Sequence, residues 1–214
     1  GDINTELNGY FSTLLKHLFG SVSTAGGSPY THTFKIASLP IGLSIEKQFT
    51  DIAQYVLYNG CKVKSLKIAC KSSGLIDTVF SLMGAKENTP TTVTGLDGNP
   101  TDNGHIPFDG FEASITEGGS ALGIVTDIYF LMDNDLDGGN FVIGGGGERY
   151  SLPAGIVKIS GNLTALFEDM TLYNKAKNNT ETSIKLILTK GTGTGAAANE
   201  YLEFEIQEAI YKPT

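Results

Sequence analysis

The strongest constraint on the fold is the alternation of apolar and polar side chains near the C-terminus, in the stretch NEYLEFEIQEAIY at residues 199–211. In an extended chain, Leu202, Phe204 and Ile206 fall on one face, while acidic and amide side chains fall on the other. This period of two predicts a strand with one buried and one wet face. Such strands belong to antiparallel sheets that pack over a core.

The composition extends this expectation to the whole chain. With 27 Gly, 7 Pro, no Trp and 18% charged residues, the 214 residues favour many short strands and turns over long surface helices. This length buries a core without crosslinks, so we predict one mainly β domain over 1–214. The expected strands begin with a meander at 31–37, 41–49, 61–70 and 75–84. A hairpin at 111–133 turns at Gly118-Gly119, and a strand at 155–169 is interrupted at Gly161. A closing pair at 182–190 and 199–211 lies around GTGTG.

One stretch near the start has the period of a helix instead. Residues 9–19 place apolar side chains three and four positions apart, which predicts an amphipathic helix that packs on the sheet. Asn8 is the expected N-terminal cap, and Gly20 is the expected end. Residues 168–179 predict a second, short helix.

A long segment at 84–110 has dense turn chemistry and almost no periodicity. Unstructured connections of this length inside a domain are usually functional or disordered. Its apolar members are badly placed for a solvated loop, so we expect them to dock on a neighbouring molecule, with packing on their own domain as the alternative: Val93, Leu96, Ile106 and Phe108.

The stretch DNDLDGG at 133–139 is the one candidate metal site. Asp133, Asp135 and Asp137 match the first, third and fifth ligands of a calcium loop, but the twelfth position is Gly144 and strand-like segments flank the motif. A strand-to-loop turn with solvated acids is the preferred interpretation. A calcium-stabilised adhesion module is the alternative, and it predicts a higher melting temperature on adding calcium.

Other chemistry is not indicated by the sequence. No nucleophile stands beside a base in a recognisable arrangement, so we predict a non-enzymatic protein without a cofactor. The net charge of -8 argues against free-standing affinity for nucleic acid. Cys61 and Cys70 fall in one predicted strand, about 30 Å apart at roughly 3.3 Å per residue, so we expect two free thiols. No apolar run approaches the ~18 residues of a membrane span.

Residues 39–87, which contain GCKVKSLKIAC and end in FSLMGAKE, resemble the core block of tail tube proteins of tailed bacteriophages and prophages. The later stretches YFLMDNDL, GIVKISGNLTALFEDM and YLEFEIQEAIYKP are similar to the closing strands of that family, and the likeness spans roughly residues 1–213. Relatives usually carry more chain ahead of GDINTEL, so we expect that an N-terminal segment is missing.

The resemblance implies a β-sandwich or partial barrel with one packed helix and a long inter-strand loop. It also implies hexameric rings that stack into a tail tube, through which phage DNA passes without specific binding. Tape-measure and tail terminator proteins are the implied partners, the virion tail is the implied location, and assembly is expected in the host cytoplasm. A tube subunit of a related secretion or bacteriocin particle is the alternative.

Overall fold

A computed structural model describes residues 1–9, 11–96, 104–195 and 198–212 of the chain. The chain is mainly β, as predicted, with several antiparallel sheets and short helices. Within the described residues, the helices are too short to cross a membrane.

The strands and helices of the described residues have the following bounds: β1 Asp2–Glu6, α1 Ser12–Phe19, β2 Gly20–Ala25, β3 Thr31–Ile36, β4 Leu43–Phe49, β5 Gln54–Lys71, β6 Asp77–Met83, β7 Lys86–Glu87, β8 Ala113–Glu117, β9 Ser120–Ala121, β10 Val125–Asp133, β11 Lys158–Ala165, α2 Thr171–Lys177, β12 Glu181–Thr189 and β13 Tyr201–Ile210. A 3-10 turn at Gly110–Glu112 leads into β8.

Two sheets pack face to face and enclose the core. The larger sheet has the order β1-β6-β5-β10-β11, and β4 and β7 pair with the first half of β5. The smaller sheet has the order β13-β12-β8-β9. Buried residues such as Phe80 and Ile128 of the larger sheet belong to the same cluster as Leu186 and Leu188 of the smaller one. This arrangement confirms the predicted sandwich.

Helix α1 closes one side of this core. Leu15 and Leu18 are buried, and the ring of Phe11 lies 5.4 Å from that of Phe80. The helix starts later than predicted, because Phe11 and not Asn8 occupies the cap position and makes no side-chain cap bond. Its end at Gly20 is confirmed: the residue has φ 96°, and a Cβ there would lie 2.4 Å from the Ala37 carbonyl oxygen.

Strand pairing differs from the sequence prediction in two places. The meander is confirmed for β4, β5 and β6, but β3 pairs with β2 in a separate hairpin. The predicted turn at Gly118-Gly119 is present, yet its second strand ends after Ala121 and β10 joins the larger sheet. Periodicity reports which face of a strand is buried and not which partner it has, which explains both errors.

The expected break at Gly161 is wrong, because β11 is continuous through this residue. Gly161 lies opposite Phe130, and a Cβ there would lie 2.3 Å from the carbonyl oxygen of Tyr129. Glycine therefore serves a close backbone approach within the strand.

The expected free thiols are confirmed. Cys61 and Cys70 both lie in β5, and both are buried and unpaired. Burial, with help from the nearby acids Asp127 and Asp109, raises the pKa of Cys70 to about 11. The thiol is therefore protonated at neutral pH and packs as a small apolar group.

Asn134 connects the helix to the larger sheet. Its side chain is fully buried, and Nδ2 donates to the carbonyl oxygens of Leu18 at 3.0 Å and Val63 at 3.1 Å. Its backbone N–H donates to the carbonyl oxygen of Lys64 at 2.8 Å. This residue, which directly follows β10, therefore bonds both the end of α1 and the middle of β5.

We expect Asn134→Ala to lower the free energy of unfolding by about 2–4 kcal/mol, because two buried carbonyls lose their donor. Urea unfolding followed by circular dichroism measures this change. Asn162→Ala, in the exposed part of β11, is the matched control and should change stability by less than about 0.5 kcal/mol. Equal effects of the two substitutions would contradict the role assigned to Asn134.

Candidate assembly surfaces

The chain exposes far more surface than a compact monomer of its size. Its accessible area is 12848 Å². A folded monomer of 22.7 kDa is expected to expose about 9,500 Å². Large apolar side chains contribute to this exposed area in several separate segments of the described chain, among them residues 141–143 and 166–167. Extensive apolar exposure of this kind is typical of surfaces that are covered in an assembly.

Unpaired sheet borders are the first such surface. In the described residues, β11 and β13 each pair on one side only. Most of β11 is exposed on both faces, and β13 exposes Tyr201 and Ile210. Rows of unpaired backbone N–H and C=O groups along such strands are templates for pairing with another chain.

The hairpin of β2 and β3 forms an arm that contacts the rest of the chain at its base and, where Pro29 lies close to Gly195, at its turn. It exposes Val22, Tyr30 and Ile36, and both strands are exposed over most of their length. At its base the ring of Phe19 lies 6.4 Å from that of Phe34. Two-stranded ribbons are marginally stable alone, so this arm is a candidate for contact with another molecule.

The first limb of the long segment follows the hairpin of β4 and β5. Strand β7 pairs with Tyr58 and Asn59, and Thr91 forms a bridge with Tyr55. The Glu46 carboxylate then holds the next turn, since it accepts bonds from the Thr94 hydroxyl and the Gly95 N–H, both at 2.6 Å. The hydrogen bond from Thr94 is the main cause that lowers the pKa of Glu46, with further help from Gly95 and Gln48.

Two of the predicted interface residues lie on this limb. Val93 is 71% exposed and Leu96 is about half exposed, so neither is covered by its own domain. Ile106, on the second limb, is also more than half exposed. Their docking on a neighbour stays a prediction.

The fourth member of that set, Phe108, must be corrected. It is 0% exposed and belongs to the central core, so packing within its own domain accounts for it. Its backbone N–H donates to the carbonyl oxygen of Leu7, and its carbonyl oxygen accepts from the N–H of Ile76. The backbone around Phe108 is therefore bonded on both sides, as a strand in the core would be. An apolar residue in an irregular segment carries no periodic signal that would separate core from surface.

Buried charges hold the second limb against the end of β12. The Lys190 ammonium donates to the Pro107 carbonyl at 2.7 Å and lies 3.2 Å from the Glu112 carboxylate. His105 Nδ1 lies 3.2 Å from the Glu200 carboxylate. Sequence reasoning missed this cluster. Its one local signal was Asp109-x-x-Glu112, a capping box that the structure confirms around the 3-10 turn.

The candidate calcium residues form backbone turns. Asp133 accepts from the Asp135 N–H and Asp137 accepts from the Gly139 N–H, both at 2.8 Å. Asp135 pairs with Lys158 at 2.9 Å. Over the described ranges, the acids, histidines and cysteines form no group of three placed to hold a metal. The three aspartates are thus used individually by the turn.

A face of mixed charge covers the outer side of the smaller sheet. Lys185 of β12 lies 3.0 Å from Glu203 and 3.3 Å from Glu205 of β13. The hydroxyl of Tyr201 donates to Glu203. The hydrogen bonds from Tyr201 and Lys185 lower the pKa of Glu203, so this carboxylate is ionised at neutral pH.

Comparison with known proteins gives one family. The family model for phage tail tube protein matches residues 1–209 of the chain. The comparison with curated proteins found no match.

We expect Glu46→Ala to release the turn at Gly95, because the carboxylate is the acceptor for two of its groups. The Gly95 amide should then exchange with solvent about tenfold faster, as measured by hydrogen–deuterium exchange with NMR detection. Asp51→Ala removes another exposed carboxylate from the same hairpin and should leave this rate unchanged.

The same bond should respond to pH. Because the pKa of Glu46 is lower in the folded chain than its ordinary value of 4.5, its contribution is complete above 4.5 and is lost as the pH falls through the lowered value. Protection of Gly95 that persists at acid pH, or that survives Glu46→Ala, would show that the carboxylate does not hold the turn.

Proposed function

The chain belongs to the phage tail tube protein family, and we propose that this structural protein of the virion tail polymerises as stacked hexameric rings that conduct phage DNA. The main support for this proposal is the strand order of the smaller sheet. Successive strands in the order β13-β12-β8-β9 are antiparallel, so its two borders run in opposite directions. Placing one copy beside the next then joins β9 to β13 in antiparallel fashion.

The larger sheet lacks this property. Its path β1-β6-β5-β10-β11 has alternating directions over five strands, so β1 and β11 run the same way. A junction between copies at these borders would be parallel, and parallel pairs are slightly less stable than antiparallel ones. The smaller sheet is therefore the better candidate for the continuous sheet of a ring.

The size of such a ring fits the proposed passage of DNA. Six copies of a four-stranded sheet form a closed cylinder of 24 strands, about 45–50 Å across between backbones at ordinary strand spacing and tilt. After side chains fill the inner wall, the opening still exceeds the width of a DNA duplex. We propose that the outer face of the smaller sheet lines this opening.

The charges of that face suit passive conduction. Glu203 and Glu205 repel phosphates, and Lys185 is already engaged by both carboxylates. DNA binding gains free energy when cations displace counterions from phosphate, and a wall with this charge pattern offers little of that gain. The net charge of -8 has the same effect at longer range.

Val93, Leu96 and Ile106 are proposed to contact neighbouring subunits, because the Glu46 bonds and the Lys190 cluster hold both limbs of their segment with these side chains outward. Tape-measure and tail terminator proteins are the proposed partners at the inside and end of the tube, and assembly is proposed to occur in the host cytoplasm.

Negative-stain electron microscopy of the concentrated protein tests the proposal. We expect rings with a central opening and tubes built from them, and sixfold symmetry in averaged end views. Closed particles without an opening, or rings with a different symmetry, would contradict the hexameric tube.

The loop contacts make a separate prediction. Val93→Asp combined with Leu96→Asp should leave the melting temperature within about 2 °C of the unmodified chain, since both side chains are exposed. The same variant should assemble poorly, because two apolar contacts are replaced by charges. Val93→Leu with Leu96→Met keeps the apolar surface and should assemble normally. Equal assembly of the two variants by light scattering would remove these residues from the interface.

A further inference from the structure

An apolar tip projects from one end of the sandwich, beyond the last residue of β10. We name this end, where β10 and β6 finish and β11 begins, the loop pole. The tip lies in the compact loop 138–152, and it presents Phe141, Val142 and Ile143 to solvent. Ile143 is 107% exposed, which means that it makes essentially no contact with its own chain.

This loop is held in place at its base. Arg149 donates from Nε to the Gly138 carbonyl at 2.8 Å and from its guanidinium to the Gly84 carbonyl at 2.7 Å, and its backbone N–H donates to Ala85. The same guanidinium lies over the ring of Phe141 at 5.5 Å. Successive turn bonds, from Gly145 to Val142 and from Glu148 to Gly145, shape the tip itself. An ordered apolar tip loses little conformational freedom when it docks.

The opposite end of the sandwich also exposes apolar side chains. We name this end, where β5 finishes and β10 begins, the turn pole. A shallow cleft of about 40 Å³ opens here, and it is lined by apolar residues such as Ile115 and Val125 and by polar ones such as Lys71 and Asp127. Exposed apolar side chains lie on the segments at this end, and we call them the collar: Leu75, Phe111, Leu166 and Phe167.

Backbone bonds place the collar at this pole. Three backbone N–H groups donate to carbonyl oxygens of neighbouring segments: Gly110 to Gly74, Ser72 to Thr126, and Leu166 to Ile124. The segments that carry the collar therefore meet near the start of β10. Phe111 is 80% exposed and Phe167 is 79% exposed. The nine residues of β10 separate the two poles by roughly 27 Å.

We propose that the tip at the loop pole of one subunit packs into the collar at the turn pole of a second copy of this chain, and that this contact stacks one ring on the next. The inference rests on the proposed tube function and names the stacking residues within it. Tip and collar lie at opposite ends of one strand direction, so each copy offers both halves of the contact and the contact repeats without closing. Heterologous contacts of this kind build open polymers.

A second copy fits better than an unrelated partner because the chain itself exposes two apolar surfaces at opposite ends of the sandwich. The tip presents three exposed apolar side chains, and the collar presents four exposed apolar side chains beside a cleft that has polar as well as apolar lining residues. An unrelated partner would explain one of these surfaces and leave the other uncovered. The chain also exposes more surface than a compact monomer of its size, and its exposed apolar side chains lie in more than one place.

Substitutions at the tip test the proposal. Ile143→Asp should retain the melting temperature and form rings, yet shorten tubes about tenfold or more in electron micrographs. Ile143→Leu keeps the apolar tip and should give tubes of normal length. Phe167→Asp and Phe167→Leu form the equivalent pair at the collar. Normal tubes from both aspartate variants would overturn the stacking contact alone, whereas no rings or tubes from the unmodified chain would overturn the proposed function and the contact with it.

Disulfide trapping identifies the partners directly. Tubes assembled from an equal mixture of Ile143→Cys and Phe167→Cys subunits should yield crosslinked dimers after mild oxidation, and neither variant alone should do so. The native thiols are buried, so they give little background. Ile156→Cys mixed with Ile143→Cys is the matched control, because both residues lie at the loop pole. The contradicting result is that the expected pair gives no dimers while this control, or Ile143→Cys alone, does give them. That result would show that the poles do not stack head to tail.

Discussion

Strand β5 is the element on which the rest of the structure depends. Its second half pairs with β6 and β10 and carries core residues, whereas its first half leaves the sandwich and pairs with β4 and β7. Gly60, with φ 63°, lies where the two halves meet, and a Cβ there would lie 2.9 Å from that of Ala85. The core and the first limb of the long segment therefore share one backbone, and a shift in register would displace both.

Polar side chains hold the loops so that apolar side chains remain exposed. The Glu46 carboxylate, the Lys190 ammonium and the Arg149 guanidinium each bond backbone groups of a segment that has no regular structure of its own. Such bonds order the loop before any partner arrives, and pre-ordering lowers the entropy lost on association. A chain that works by polymerisation gains from this arrangement, since its contacts form between rigid surfaces.

Local patterns predicted those elements whose burial follows a simple period. The alternation in β13 and the three-to-four spacing in α1 both report a single buried face, and both elements were found close to their predicted bounds. Irregular segments lack this information. Phe108 and Val93 belong to the same segment and are both apolar, yet one is a core residue and the other is exposed. The backbone of Phe108 bonds Leu7 and Ile76, whereas the turn after Val93 is bonded by Glu46, and all of these partners are distant in sequence.

The sequence by itself determined the mainly β class, the buried faces of the periodic strands, the two free thiols and the family, because these follow from side-chain order along the chain. Only the tertiary structure decided that β10 leaves its hairpin for the larger sheet, and that the tip and collar lie at opposite poles. The physical reason is that a strand's period specifies its inward face but not its neighbour. Partners and poles are set by packing between segments far apart in the chain.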